Sequence, residues 1–227
     1  QENSIFVICD SMLVHKKLNC YNDCLRLGRF LFTNFWYPVD RTKRERGNFM
    51  NAELTFLNAL QALRTPALDG VMRFFTHLGD SGFVWLVLTA LLLAFRRTRR
   101  AGWVLAAALL FDAVLCNILL KPTVGRIRPC DILTEVELLI PRPEDFSFPS
   151  GHTAASFASV TALWLAGKKR WAMAALPLAV LIAFSRMYLC VHFPTDILGG
   201  AVLGTACGWL GAWSIKKLEE NKTVRPR

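Results

Sequence analysis

Apolar residues gather into five runs separated by short polar connections, at 81–95, 102–120, 153–166, 171–189 and 197–215. Each predicts a transmembrane helix. The first and third are short against the roughly 20 residues that a bilayer requires, so they must recruit flanking residues. Ala154, Ala155, Ser156, Ala158 and Ser159 give the third run a small-residue face that permits close helix contact and marks it as central. Upstream, residues 51–79 are amphipathic instead: Leu54, Leu57, Leu60 and Leu63 recur every third position, Pro66 interrupts, and Leu68, Val71, Met72 and Phe75 resume. Two short helices lying in the membrane interface fit that pattern. The expected fold is therefore all-α, an integral-membrane bundle of about five transmembrane helices with N-terminal interfacial helices.

Composition agrees. Of 227 residues, 53% are hydrophobic and only 19% charged, and the mean hydropathy is +0.33. These values argue against disorder, against a disulfide-stapled mini-domain and against an ordinary cytosolic enzyme. A net charge of +10 would suggest nucleic acid in a soluble protein. Here many basic residues sit in 96–100, in 168–170 and in the tail, directly beside apolar runs, so they read as cytoplasmic anchors and no nucleic-acid partner is expected. That assignment puts the 121–152 loop and the 190–196 turn together on the extracytoplasmic face of a multi-pass inner-membrane protein. Seven cysteines without a Cys-x-x-Cys pair indicate neither a disulfide framework nor a zinc site, and His15, Cys20 and Cys24 have no ligand spacing. Cys130, after the second span, is expected to be an accessible loop thiol, and Cys116 to lie within the span.

Patterning changes at Met50. Residues 1–49 hold no span-length run and no cleavage signal, and are read as an extension that is poorly ordered or not native; the Arg41 to Arg46 cluster also fits the charge rule badly. Residues 50–220 form the membrane domain and 221–227 a basic cytoplasmic tail.

Three polar groups meet at the extracytoplasmic face. Lys121-Pro122-Thr123-Val124-Gly125-Arg126-Ile127-Arg128-Pro129 leaves the second span, Pro149-Ser150-Gly151-His152 opens the third, and Ser185-Arg186 with His192 and Asp196 joins the fourth to the fifth. Lys121, Arg128 and Arg186 are cations that can surround one polyanion, Arg binding phosphate bidentately. The Ser150-Gly151 turn adds backbone N–H groups at a helix start, a ready anion site. Two histidines beside an anion suggest one nucleophile and one acid, and Asp196 lies one helical turn from His192, close enough to fix its tautomer.

The patterns Lys-x6-Arg-Pro, Pro-Ser-Gly-His and Ser-Arg-x5-His-x3-Asp, matched at every fixed position and in order, resemble the three signature motifs of the type 2 phosphatidic acid phosphatase superfamily. The resemblance covers about residues 50–217 and is nearest to small bacterial undecaprenyl-diphosphate phosphatase-like members. It implies that His192 is the nucleophile forming a phosphohistidine, Asp196 the group that orients it, and His152 the acid that protonates the leaving oxygen. Lys121, Arg128, Ser150, Gly151 and Arg186 are implied as the phosphate cradle. The expected activity is metal-independent, cofactor-free hydrolysis of a terminal lipid phosphate, undecaprenyl diphosphate first. Phosphatidylglycerol phosphate, phosphatidic acid and lipid A phosphates are alternatives, as are a vanadate-dependent haloperoxidase and a non-enzymatic lipid-binding scaffold. Expected partners are the lipid phosphate and membrane lipids, with no obligate protein partner.

Asp112 and Asn117 lie inside the second span, where buried acids are functional candidates by default. At helical rise Asp112 is roughly 13 Å from Lys121, so a helix-packing hydrogen bond is expected for it. Arg126 is balanced between a phosphate contact and a solvent or headgroup contact, and His77 and Asp80 receive no role. Since no motif or span lies in residues 1–49, a truncated chain beginning at Met50 should insert and hydrolyse lipid phosphates as the full chain does. Loss of turnover in a well-inserted truncation would overturn that expectation.

Overall fold

The computed structural model describes residues 41–224, with side chains described over 50–221. The expectations for His15, Cys20, Cys24 and the rest of 1–40 lie outside the described residues, and a compact unit begins at Met50. Its elements are helical: α1 (Arg41–Ala62), α2 (Pro66–Gly79), α3 (Phe83–Ala94), α4 (Arg99–Asp112), a π-helical stretch (Ala113–Leu120), α5 (Lys121–Val124), α6 (Pro129–Ile132), α7 (Gly151–Leu165), α8 (Lys169–Tyr188) and α9 (Pro194–Val224).

Pro66 ends one helix and starts the next, as its fixed φ and missing N–H dictate. Thr65 caps α2 by accepting from the Leu68 N–H at 3.3 Å. The amphipathic region differs from expectation at its far end. α2 runs through a single 3₁₀ turn, Asp80–Gly82, into α3, and 66–94 together are long and apolar enough to cross a membrane. The short first run thus gains its length from the segment read as interfacial. α1 is no free surface helix either, because Leu57 and Leu60 bury against Cys190 and Phe193.

Four helical segments, Pro66–Ala94, Arg99–Ile132, Lys169–Tyr188 and Pro194–Asn221, are long and apolar enough to span. The third apolar run forms α7, whose 15 residues reach only about 22 Å. It tolerates that length because protein surrounds it: Thr153, Ala154, Ala155, Ser156, Ala158, Ser159, Ala162 and Leu163 are all buried, against α9, α8 and α4. The lipid-facing surface falls to others, among them Leu110, Ile118, Met173 and Val202.

Close approach to α7 is achieved by glycines at four-residue spacing on α9. A Cβ on Gly200 would lie 2.7 Å from the Ser150 carbonyl oxygen, and one on Gly208 2.6 Å from Thr161 Cβ. One on Gly204 would collide with the Ala154 carbonyl, so this stripe lets two backbones touch where the lipid-solvated state offers no hydrophobic driving force. Gly204→Val should therefore lower stability by about 1–3 kcal/mol or more. Val202→Leu, on a position 73% exposed, should stay within about 0.5 kcal/mol. Thermal unfolding in detergent checks both, and equal melting of the two variants would contradict this packing.

Candidate active site

The loop after the π-helical stretch is shaped by Gly125, whose φ of 60° ends α5 while its N–H bonds the Lys121 carbonyl at 2.9 Å. The chain then returns so that the Ser147 N–H donates to the Arg126 carbonyl at 2.8 Å. At the other motif, Cys190 adopts φ 56° and reverses the chain after α8, which turns Val191 and His192 toward Arg128.

Lys121, Arg128, Gly151, His152, Arg186 and His192 line one cavity of about 870 Å³. Ser150 and Asp196, the other two expected site residues, are fully buried and do not line it. Ser150 Oγ instead accepts from Thr153 Oγ1 at 3.0 Å, and its N–H donates to the Asp196 carbonyl at 3.1 Å.

Arg128 is the hub. Its Nη1 donates to the Val191 carbonyl at 2.7 Å and to His192 Nε2 at 3.1 Å, and its Nη2 donates to Asp145 Oδ1 at 2.6 Å. A guanidinium has no lone pair to offer. His192 Nε2 must therefore be the acceptor, with the ring proton on Nδ1. That nitrogen faces Asp196 Oδ2 at 3.5 Å, ion-pair range but long for a well-formed hydrogen bond. Burial first, then the charges of Arg128, Arg186, Lys121 and His152, pushes the His192 pKa well below its ordinary value.

The firm partners of Asp196 are others: Arg126 Nη1 at 2.6 Å, the Phe193 N–H at 2.8 Å and the Ser147 hydroxyl. Arg126 also donates to Glu53 and Thr195 Oγ1, both at 2.6 Å, and lies 4.0 Å over the Phe193 ring. All of these contacts lie within the protein. The role of Arg126 here is to clamp the turn that carries His192.

Asp145, which the motifs do not include, pairs with both Lys121 and Arg128. Burial alone would raise its carboxyl pKa, but those two cations outweigh it and hold it at about 2. In sequence it is only an acid four residues before Pro149. Asp112 departs from its expected helix-packing bond: Oδ1 has no hydrogen-bond partner, and the side chain lines the cavity with Asn117. Nine residues apart on an α-helix, Asp112 and Lys121 would point to opposite sides. The wider π-helical turn between them brings both to the same cavity wall. Cys130 is also corrected, being 1% exposed and packed with Met72, Tyr188 and Val191. Among the described residues no three His, Cys, Asp or Glu side chains are grouped to hold a metal ion.

Residues 101–220 match the family model for the PAP2 superfamily, a segment holding all three motifs. The chain belongs to the PAP2 superfamily. It is 36% identical over 159 residues to the undecaprenyl-diphosphatase of Sulfolobus acidocaldarius, covering 67% of this chain and 76% of that one. It is also 36% identical to phosphatidylglycerophosphatase B of Bacillus subtilis, over 68% of this chain and 78% of the relative. The crystal structure of Aquifex aeolicus LpxE superposes with a TM-score of 0.60 at 35% identity, covering 70% of this chain and 93% of that one. Glu53 and Asp80 lie upstream of the matched PAP2 segment yet touch Arg126 and His152 within it, and His77 pairs with Asp80.

The electrostatics give a direct test. In ¹⁵N-histidine spectra, the resonance that disappears in His192→Gln should remain neutral and protonated on Nδ1 as pH falls through 6.5, because a depressed pKa keeps the ring uncharged there. A ring that gains its charge at pH 6.5 or above would contradict the buried, cation-flanked placement.

Proposed function

We propose that this PAP2 protein removes the terminal phosphate of a lipid phosphate or diphosphate at the membrane surface, by way of a phosphohistidine on His192. The observation that carries the reading is His192 Nε2, a lone pair directed at Arg128 on the wall of a cavity that also bears Lys121, Arg186 and His152. Phosphoryl transfer depends mainly on positioning and charge stabilisation, and this constellation offers both.

In this scheme Nε2 attacks phosphorus as the bond from phosphorus to the leaving oxygen breaks, and His152 gives that oxygen a proton. Water then attacks phosphorus, the P–N bond breaks, and His152 takes a proton from the water. Lys121, Arg128 and Arg186 neutralise the equatorial oxygens, and the Gly151 N–H at the start of α7 adds a donor. Asp145 must give up Lys121 and Arg128 when the phosphate enters.

Undecaprenyl diphosphate is the first choice of substrate, supported by the similarity to the Sulfolobus enzyme. Phosphatidylglycerol phosphate is next, supported by the Bacillus relative, with phosphatidic acid and lipid A phosphates behind. Apolar, lipid-facing helices around the cavity favour a lipid over halide oxidation, and the presence of both His192 and His152 favours turnover over a scaffold role. The basic clusters at 96–100 and 168–170 support an extracytoplasmic site in the inner membrane. A Glu144→Cys variant should then react with an impermeant maleimide in intact cells beyond the parental level; reaction only after the cells are opened would reverse the face.

Phosphate release from a lipid panel by the purified protein tests the function. A long-chain lipid should exceed p-nitrophenyl phosphate in kcat/KM by about a hundredfold or more, since its remote tail contributes binding energy. EDTA should leave the rate nearly unchanged, and vanadate, a mimic of the pentacoordinate state, should inhibit. Equal kcat/KM for lipid and soluble ester, or abolition by EDTA, would contradict the reading.

A further inference from the structure

The turn between α2 and α3 carries an acid whose contacts the three motifs leave unexplained. Asp80 Oδ1 lies 3.0 Å from His152 Nε2, and Oδ2 lies 2.8 Å from His77 Nδ1. The backbone is shaped to make this contact. Ser81 and Gly82 follow with φ of 52° and 70°, a left-handed pair that a serine adopts at a cost. A Cβ on Gly79 would sit 2.7 Å from His152 Cδ2, so only glycine lets the turn come down on the ring.

A carboxylate accepts and does not donate, so the His152 proton facing it is on Nε2. Among the described residues no hydrogen bond occupies the other ring nitrogen. His77 from α2, Arg186 from α8, Lys121 from α5 and His192 from the following turn share the cavity wall with His152. Asp80 is the one acid among the described residues within ion-pair distance of His152, and Asp145 across the cavity is taken up by Lys121 and Arg128.

We propose that Asp80 is a positioning residue for phosphoryl transfer, fixing His152 with a permanent proton on Nε2 so that Nδ1 alone exchanges protons with the reaction. The inference rests on the reading of His152 as the acid. In the first step Nδ1–H passes its proton to the leaving oxygen as P–O breaks; in the second, neutral Nδ1 receives the proton of the attacking water as P–N breaks. The charge balance is the same at both ends, because Asp80 never leaves Nε2. This is the logic by which a carboxylate fixes the tautomer of a catalytic histidine, applied to the acid rather than the nucleophile.

Asp80→Asn is the test, since it keeps the shape, removes the charge and can present an N–H to Nε2. Turnover of a lipid phosphate should fall about ten- to a hundredfold, within what acid–base catalysis contributes. Phenyl phosphates with good leaving groups should lose far less, and Asp80→Glu should recover part of the lipid rate. In ¹⁵N spectra the His152 ring should change from a pure Nε2–H tautomer to a mixture. In the His152→Gln background Asp80→Asn should cost little more. His77→Ala, removing an exposed outer partner, should cost less than about fivefold. Equal losses on lipid and phenyl esters, an unchanged tautomer, or full additivity with His152→Gln would overturn the role of Asp80. If His152→Gln itself keeps full activity, the parent reading of the acid fails instead, which separates the two outcomes.

Discussion

Buried positive charge is the constraint around which this structure is arranged. Lys121, Arg128 and Arg186 are 8%, 2% and 4% exposed and line a single cavity. Cations taken that far from water persist only when something negative or strongly polar faces them. Asp145 answers for Lys121 and Arg128, whereas Arg186 has Thr76 on Nη1 and leaves Nε without a hydrogen-bond partner. A phosphate entering the cavity, as proposed, would meet all three. Burial, and with it the charge of those cations, also pushes the pKa of His192 well below its ordinary value, which favours a neutral ring with its lone pair on Nε2.

Holding those cations in place falls to backbone packing and a second layer of ion pairs. The glycine stripe of α9 seats α7 at contact distance, which fixes the N-terminus bearing Gly151 and His152. Behind His192, Arg126 gathers Glu53 of α1, Thr195 and Asp196 of α9, and the Phe193 ring. An amphipathic helix that looks peripheral in sequence is thereby tied to the turn carrying His192. Asp196 is best described as the keystone of that turn, with His192 its most distant neighbour.

Much of this was legible before any coordinates. Helical runs and motif residues follow from hydropathy and from spacing, and six of the eight expected site residues share the cavity wall. The length of the first span was not, because a 3₁₀ turn at Asp80 joins two segments that hydropathy separates at charged residues. Nor was the exposure of Cys130, since loop position says nothing about a cover formed by Met72 and Tyr188 from distant helices. For Asp112 the expectation rests on α-helical rise, whereas the stretch between it and Lys121 is π-helical and turns both onto the cavity wall. Gly200, Gly204 and Gly208 carried a readable four-residue spacing on α9 that marks its contact with α7. Asp80, Asp145 and Glu53 are single acids with no local pattern, and only the fold reveals what they touch.

The central claim is that His192 Nε2 becomes covalently phosphorylated. Rapid mixing of the purified protein with a lipid carrying ³²P in its terminal phosphate, followed by alkaline quench and peptide mapping, tests it most directly. The account predicts an alkali-stable, acid-labile label on the peptide containing His192, absent in His192→Ala. Label on any other residue, or turnover of His192→Ala at the rate of the parent, would contradict it.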